Sequence, residues 1–240
     1  MKQEFIKRQG ARRLLLFFAG WGMDSRPFRA FRPEDDEDYL ICYDYRSADF
    51  RRELLEGYAE LRIAAWSMGV WMADNVWRRY RDFFPRLSGA VALNGTLFPI
   101  DAQQGIPPRV YDLTLRGMKT EADVQNFYRR MCSNEEEYRR FAEHCPRRPV
   151  EELRQELAAL RTLTALPEGS CPDKAAGLPW SKVYIGRADR IFPPQAQQLA
   201  WQTIGAVEEL ACGHWPFSVG RFLNAAGETE WRLLFAEQNG

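Results

Sequence analysis

Short runs of apolar residues recur along the chain and end at turns or at segments with helical spacing. Continuous apolar runs of this kind are typical of strands that are buried on both faces of a parallel sheet. The runs are Leu14–Ala19, Tyr39–Tyr43, Leu61–Ala65, Ala90–Leu93, Lys182–Ile185 and Ala206–Leu210. A further edge strand is predicted at Phe5–Lys7.

Segments with helical spacing separate several of these runs. Val70–Phe84 follows the third run and is stopped by Pro85, and Gln195–Ile204 lies between the last two runs. Strand–helix–strand units favour parallel pairing of the strands. The pattern therefore predicts an α/β fold with a mostly parallel, doubly wound sheet that is flanked by helices.

The alternation is interrupted between about residues 105 and 175. Helical patterns at Glu121–Cys132, Glu135–His144 and Val150–Thr164 follow one another there, separated by prolines. The simplest interpretation is a helical cap inserted at 105–175, with residues 1–104 and 176–240 forming the core domain.

Composition narrows the class of protein. With 240 residues, of which 45% are apolar, the chain can bury one large core. The 33 basic and 33 acidic residues leave no net charge, which argues against nucleic acid or a membrane as partner. Five cysteines without a CxxC pair, a polar amino terminus and the lack of a long apolar segment predict a cytoplasmic protein with reduced thiols. The acidic run Glu34–Asp38 is predicted to be a solvated loop.

The segment Ala65–Gly69 has the composition of a nucleophile elbow centred on Ser67. Such a turn joins a strand to a helix and lifts the serine hydroxyl above the edge of the sheet. Because the serine backbone is strained there, the residues two before and two after it must be small. Ser67 is therefore the candidate nucleophile.

A serine nucleophile needs a base, and the base needs an orienting acid. The chain has two histidines. His214 follows the last predicted strand, where this kind of site expects its base, whereas His144 lies in the predicted cap. Asp189 follows the preceding strand and is the candidate acid, with Asp44 as the alternative.

Two backbone N–H groups are expected to stabilise the oxyanion that develops during acyl transfer. One is that of Met68, directly after the serine and at the start of a helix. The other is that of Trp21, which two glycines flank in the turn after the first long apolar run.

Other chemistries lack their residues. Zinc hydrolysis needs a cluster such as HExxH, and a phosphate loop needs a GK[ST] ending; the sequence has neither. No metal and no cofactor are therefore expected. Cys212, close to His214, is predicted to be a packed thiol.

The chain resembles a compact branch of the α/β-hydrolases, the pimeloyl-[acyl-carrier-protein] methyl ester esterases of biotin synthesis. The segments that carry the resemblance are Phe18–Met23, Cys42–Arg46, Ala65–Trp71, Asn94–Thr96, Pro99–Asp101, Gly105–Pro107, Phe127–Cys132 and Asp189–Pro193. They span nearly the whole chain. Where most α/β-hydrolases have His-Gly before the oxyanion turn, this chain has Ala19-Gly20.

The resemblance implies an α/β-hydrolase fold and hydrolysis of the methyl ester of pimeloyl-acyl carrier protein. It also implies Ser67, Asp189 and His214 as a catalytic triad, with Trp21 and Met68 as oxyanion donors. Because acyl carrier proteins are acidic, cap arginines such as Arg129 and Arg130 are expected to contact this partner. The alternative is a solvated helix surface, because Lys119–Arg161 holds nine basic and nine acidic residues. Trp66 and Phe127 are expected to line the acyl channel, with simple packing in the core as the alternative.

Two alternatives stay open from the residues. A triad does not distinguish an oxygen ester from a thioester, so a thioesterase or a broad short-chain carboxylesterase is also possible. A protein of another class, a non-catalytic adaptor that binds acyl carrier protein, would keep the fold without using the serine.

Overall fold

The computed structural model describes residues 1–165, 177–203 and 206–236. Strands in this part of the chain are β1 (Lys2–Lys7), β2 (Arg13–Phe18), β3 (Glu37–Tyr43), β4 (Glu60–Trp66), β5 (Arg86–Leu93), β6 (Lys182–Gly186) and β7 (Val207–Leu210). Its α-helices are α1 (Met68–Tyr80), α2 (Pro108–Gly117), α3 (Glu121–Met131), α4 (Glu135–Glu143), α5 (Val150–Leu163), α6 (Pro194–Trp201) and α7 (Trp231–Phe235).

All the described strands belong to one sheet, in the order β1-β3-β2-β4-β5-β6-β7. Only β1 runs antiparallel to its neighbour, at the edge. Central strand β2 is fully buried from Leu14 to Phe18, as a strand covered on both faces must be. Because the other strands are parallel, the loops that follow β2, β4, β5, β6 and β7 all meet at one edge of the sheet.

The predicted strands and helices are found, with differences at their ends. β5 begins at Arg86, four residues before the apolar run at Ala90. The first predicted helix ends as an α-helix at Tyr80 and continues as a 3-10 turn to Phe83. Ile204, the predicted end of the helix before β7, lies outside the described residues. Helices α2 and α7 were not predicted.

The prediction of a solvated loop for the acidic run 34–38 is confirmed for the exposed Asp35 and Asp36 but is wrong for its last two residues. Glu37 and Asp38 begin β3 and are fully buried. Glu37 accepts two hydrogen bonds from the Arg62 guanidinium on β4, and Asp38 accepts one from the Tyr58 hydroxyl. Buried carboxylates need such partners. The partners are distant along the chain, so the five consecutive acidic residues do not by themselves predict which of them are buried.

Helices α2, α3, α4 and α5 follow one another between β5 and β6, in the interval where the cap was predicted. Residues 166–176, which include the predicted boundary at 175, lie outside the described residues, so the division into core and cap stays a prediction. None of the helices in the described part of the chain is long and apolar enough to cross a membrane.

Candidate active site

Ser67 occupies the turn between β4 and α1 in an unusual backbone conformation, with φ 60° and ψ −130°. A positive φ is uncommon for a residue other than glycine and occurs where the surroundings enforce it. Close packing at Gly69 helps to enforce the conformation of Ser67, because a Cβ at Gly69 would lie 2.2 Å from the carbonyl oxygen of Phe18. Helix α1 therefore approaches the end of β2 more closely than any side chain would permit.

The hydroxyl of Ser67 lies 2.9 Å from Nε2 of His214. His214 is almost fully buried and follows β7, at the same edge of the sheet as the serine turn. Its backbone carbonyl accepts hydrogen bonds from the indole of Trp66 (2.8 Å) and from the side chain of Asn94 (3.0 Å). The imidazole is thus anchored to the strand that carries the serine.

Asp189 lies on the other side of the imidazole, with Oδ2 2.8 Å from Nδ1 of His214. Its Oδ1 accepts hydrogen bonds from the N–H groups of Ile191 and Phe192, and Gln197 donates to Oδ2. A carboxylate at Nδ1 fixes the tautomer in which Nε2 has a free lone pair. Nε2 is therefore ready to accept the serine proton.

The alternative acid, Asp44, belongs to a different cluster. Its carboxylate contacts the guanidinium groups of Arg46 (2.7 Å) and Arg148 (2.9 Å) and the ammonium of Lys2 (3.3 Å). Burial opposes ionisation, but these three cations outweigh it and lower the pKa of Asp44 to about 2. Of the two carboxylates that the sequence left open, Asp189 is the one that contacts His214.

The loop after β2, Gly20–Met23, carries Trp21 and is called here the glycine loop. Gly22 has φ +78°, a conformation that glycine adopts without strain. Among the hydrogen bonds of the described residues, the backbone N–H groups of Trp21 and Met68 have no acceptor. Both residues line the same cavity as Ser67 and His214. Two unpaired donors beside a serine hydroxyl are suited to binding an oxyanion.

The cavity in front of Ser67 is lined mainly by apolar side chains. Its walls include Trp21, Trp66, Met68, Ile106, Val110, Tyr111, Phe127, Met131, Leu157 and Ile191, with Arg130 and Arg190 as its charged residues. Of the residues expected to bind substrate, Trp66, Phe127 and Arg130 therefore lie at the cavity. Arg129 lies outside it, where its guanidinium pairs with Glu135 and covers the ring of Tyr138.

Comparison with known proteins gives the family. The family model described as pimeloyl-ACP methyl esterase BioG matches residues 1–226. The chain belongs to the BioG family. A crystal structure of BioG from Haemophilus influenzae is 34% identical, with a TM-score of 0.76, over 89% of this chain and 94% of that one.

Two further matches are named for ester hydrolysis or for chemistry on a carrier protein. A malonyl-[acyl-carrier protein] O-methyltransferase of Bacteroides fragilis is 46% identical over 78% of this chain, which spans only 36% of that longer protein. An esterase from Thermogutta terrifontis shares the fold at 17% identity and a TM-score of 0.61, over 89% and 85% of the two chains. These matches confirm the predicted α/β-hydrolase fold, the BioG family and its class, the carboxylic ester hydrolases.

One residue that holds the candidate site together was not identified from its chemistry in the sequence. Asn94, at the end of β5, has φ 44° and holds two loops together. Its amide donates to the carbonyls of Gly213 and His214, and its Oδ1 accepts from the N–H of Gly186 (2.6 Å). The available signal was an asparagine directly after a buried strand, because asparagine tolerates a positive φ.

Cys212 and His144, the other groups considered for the chemistry, take no part in the hydrogen bonds that join Ser67, His214 and Asp189. Burial raises the pKa of the Cys212 thiol to about 12, so it stays protonated at neutral pH. His144 is exposed at the end of α4. Within the described residues, no three His, Cys, Asp or Glu side chains converge as metal ligands.

Replacing Gly69 with alanine is expected to prevent α1 from seating on β2. The added Cβ would meet the backbone oxygens of Phe18 (2.2 Å) and Ala19 (2.6 Å), which cannot rotate away. We expect a loss of about 3 kcal/mol or more in the free energy of unfolding, measured by urea denaturation. Gly117→Ala is the control, because a Cβ at Gly117 meets nothing within 4 Å. Equal stability of the two variants would contradict this close packing.

Asp44→Asn is expected to destabilise the protein in a pH-dependent way. The folded-state pKa of about 2 lies below the ordinary value of 3.8 for this side chain, so the carboxylate stabilises the fold above about pH 4. That stabilisation is lost as the pH falls toward 2. The difference in unfolding free energy between wild type and variant should therefore be large at neutral pH and shrink in acid. A constant difference would show that the charge of Asp44 is not responsible, and Asp35→Asn, at an exposed position, is the control.

Proposed function

We propose that this protein is a serine esterase that hydrolyses the methyl ester of pimeloyl-acyl carrier protein and frees its terminal carboxylate in the synthesis of the biotin precursor. The observation that carries the proposal is the unbroken line of hydrogen bonds from Ser67 through His214 to Asp189. The serine at one end of this line belongs to the wall of a mainly apolar cavity. Membership of the BioG family supports the substrate class.

In the first half of the reaction, Oγ of Ser67 attacks the ester carbonyl carbon while Nε2 of His214 takes its proton. The carbonyl oxygen becomes an oxyanion and accepts hydrogen bonds from the N–H groups of Trp21 and Met68. The bond to the methoxy oxygen then breaks. His214 returns its proton to that oxygen, so methanol leaves and the acyl group stays on Ser67.

In the second half, a water molecule attacks the acyl-enzyme carbonyl and gives its proton to Nε2 of His214. The same two N–H groups stabilise the second oxyanion. When the bond to Oγ breaks, the proton passes to Ser67 and the free acid leaves. Asp189 keeps the imidazole in one tautomer throughout and stabilises its transient positive charge.

The apolar walls suit the aliphatic chain of a pimeloyl group better than a polar substrate. Phe127, Val110 and Leu157 belong to helices α3, α2 and α5, so the segment between β5 and β6 covers the cavity. The relative from Bacteroides fragilis is named for methyl transfer to an oxygen of malonyl-[acyl-carrier protein], a reaction whose product is a carrier-linked methyl ester. This name supports a carrier-linked methyl ester as the substrate that enters here.

Cationic groups at the cavity and beside it suit an acidic carrier protein. Arg130 and Arg190 both line the cavity, and burial together with the charge of Arg190 lowers the pKa of Arg130. Arg129 is half exposed on the neighbouring helical surface. We propose that Arg129 and Arg130 contact the carrier protein while its prosthetic arm delivers the ester.

Ser67→Ala and His214→Ala should each lower kcat on a p-nitrophenyl ester by roughly 10⁴-fold or more while leaving the fold intact. A fluorophosphonate probe should label wild-type Ser67 and neither variant. His144→Ala and Ser88→Ala are the matched controls, since both residues are exposed and neither lines the cavity. Near-normal turnover by Ser67→Ala, or no labelling of the wild type, would favour the non-catalytic adaptor.

The same assay on the carrier-linked ester separates the remaining candidates. Methyl ester hydrolysis releases methanol and leaves the acyl chain on the carrier protein. A thioesterase would instead release the carrier's free thiol, which mass spectrometry of the carrier distinguishes. A broad carboxylesterase would show no preference for the carrier-linked ester over the free methyl ester.

Arg129→Glu should raise KM for the carrier-linked ester by roughly tenfold, about 1.4 kcal/mol, without changing the KM for a p-nitrophenyl ester. The expected cause is repulsion between the new carboxylate and the acidic carrier protein. Arg12→Glu is the control, because Arg12 is exposed at the opposite end of the parallel strands. Equal losses on both substrates would indicate damage to the cavity and contradict docking at this surface.

A further inference from the structure

The glycine loop (Gly20–Met23) is held in place by residues of the segment between β5 and β6. The Trp21 indole donates to the carbonyl of Leu153 (3.0 Å), and the Tyr128 hydroxyl donates to the carbonyl of Gly22 (3.1 Å). Arg148 donates to the carbonyl of Met23 (3.2 Å). The loop that carries a proposed oxyanion donor is therefore hydrogen-bonded to α3, to α5 and to a residue just before α5.

Glu156 on α5 contacts the residue that follows Trp21. Its Oε2 accepts a hydrogen bond from the backbone N–H of Gly22 (3.3 Å), the peptide that directly follows Trp21. Its Oε1 accepts one from the N–H of Tyr45 at the end of β3 (2.8 Å). The carboxylate therefore ties α5 to two loops at the functional edge of the sheet.

This carboxylate is fully buried and paired with the buried guanidinium of Arg148, 2.5 Å away. A buried ion pair is costly to desolvate, and apolar residues of similar volume often stabilise a fold as well or better. A role in attaching α5 to the sheet does not by itself explain why an ion pair is buried here. An apolar side chain would leave the N–H groups of Gly22 and Tyr45 buried without acceptors.

The hydrogen bond to Gly22 bears directly on the orientation of Trp21. The N–H of Gly22 belongs to the peptide plane that joins Trp21 to Gly22, and Tyr128 binds the carbonyl of the next plane. Fixing these planes limits rotation about the backbone of Trp21 and hence the direction of its own N–H. Oxyanion stabilisation depends on donors that are held in place before the charge develops.

We propose that Glu156 is a positioning residue for catalysis: through Gly22 it holds the Trp21 N–H toward the oxyanion, with Arg148 as its counter-charge. This inference rests on the proposed esterase function and adds a residue to it that touches neither substrate nor Ser67. The oxyanion site is then complete only when α5 is seated on the end of the sheet.

Glu156→Gln tests the proposal. Glutamine keeps the size of the side chain, but its amide nitrogen must face an N–H group or the guanidinium on one side, so one contact becomes repulsive. On a p-nitrophenyl ester, kcat should fall by roughly 10- to 100-fold with KM nearly unchanged, because only the transition state loses stabilisation. Binding of a trifluoromethyl ketone, which forms an oxyanion on Ser67, should weaken by a similar factor.

Glu152→Gln is the matched control. Glu152 lies one turn earlier on α5 and belongs to the same ionic cluster, at 3.7 Å from Arg148 and 3.3 Å from Arg46. It does not contact the glycine loop among the described contacts, so its kcat and its ketone affinity should stay within about twofold of wild type. Equal losses in both variants, or a rise in KM at constant kcat for Glu156→Gln, would overturn the proposal. An inactive wild type would instead overturn the proposed function.

A second variant keeps the test decisive if Glu156→Gln does not fold. Tyr128→Phe removes only the hydroxyl that binds the carbonyl of Gly22. It should lower kcat and ketone affinity together, by roughly three- to tenfold, at unchanged KM. Tyr138→Phe removes a hydroxyl that binds Gln125 instead and should leave both values unchanged. Identical kinetics for the two phenylalanine variants would contradict positioning of the loop from this side.

Discussion

The backbone around Ser67 is packed so tightly that main-chain contacts fix the position of the serine hydroxyl. A Cβ at Gly69 would lie 2.2 Å from the Phe18 carbonyl, and one at Gly95 would lie 2.3 Å from the carbonyl of Ser67 itself. The strained φ of Ser67 costs roughly 1–3 kcal/mol and persists because these contacts leave no alternative. The contacts that pack the central strands together therefore also place the serine hydroxyl.

The imidazole is placed by the same strands, although it comes from the far end of the sequence. Trp66 and Asn94 end the neighbouring strands β4 and β5, and both donate to the carbonyl of His214. Asn94 also accepts from Gly186 at the end of β6. A parallel sheet brings these strand ends together, so three short polar contacts are enough to align groups that are remote in the chain.

The sequence revealed those parts of the site that depend on local backbone geometry. Ser67 was predictable because a strained turn requires small neighbours, and His214 because it follows the last strand of a chain with two histidines. Asp189 and Asp44 both follow strands, and composition did not separate them. The difference lies in the cations around Asp44. Arg46 is two residues away, but Arg148 and Lys2 are remote in the chain and reach the carboxylate only in the folded protein.

The same limit explains the errors in the predicted elements. Glu37 and Asp38 look solvated until Arg62 and Tyr58 are placed beside them by strand pairing and packing. Helix α2 begins at the second of two prolines. Paired prolines suggest a break in structure, but proline is well tolerated in the first turn of a helix, where its missing N–H is not needed.

The segment between β5 and β6 combines two roles that are usually considered separately. Its apolar side chains, such as Phe127 and Leu157, wall the cavity, while Glu156 and Arg148 bind backbone groups of the glycine loop. The backbone atoms of a tight turn need polar partners when they are buried, and an apolar wall cannot supply them. A helical cover that buries the loop must therefore also replace the water that would have bonded to its backbone. The buried carboxylate of Glu156 supplies such a partner to the glycine loop. In the proposed mechanism, the Trp21 N–H is therefore oriented only while α5 covers the site.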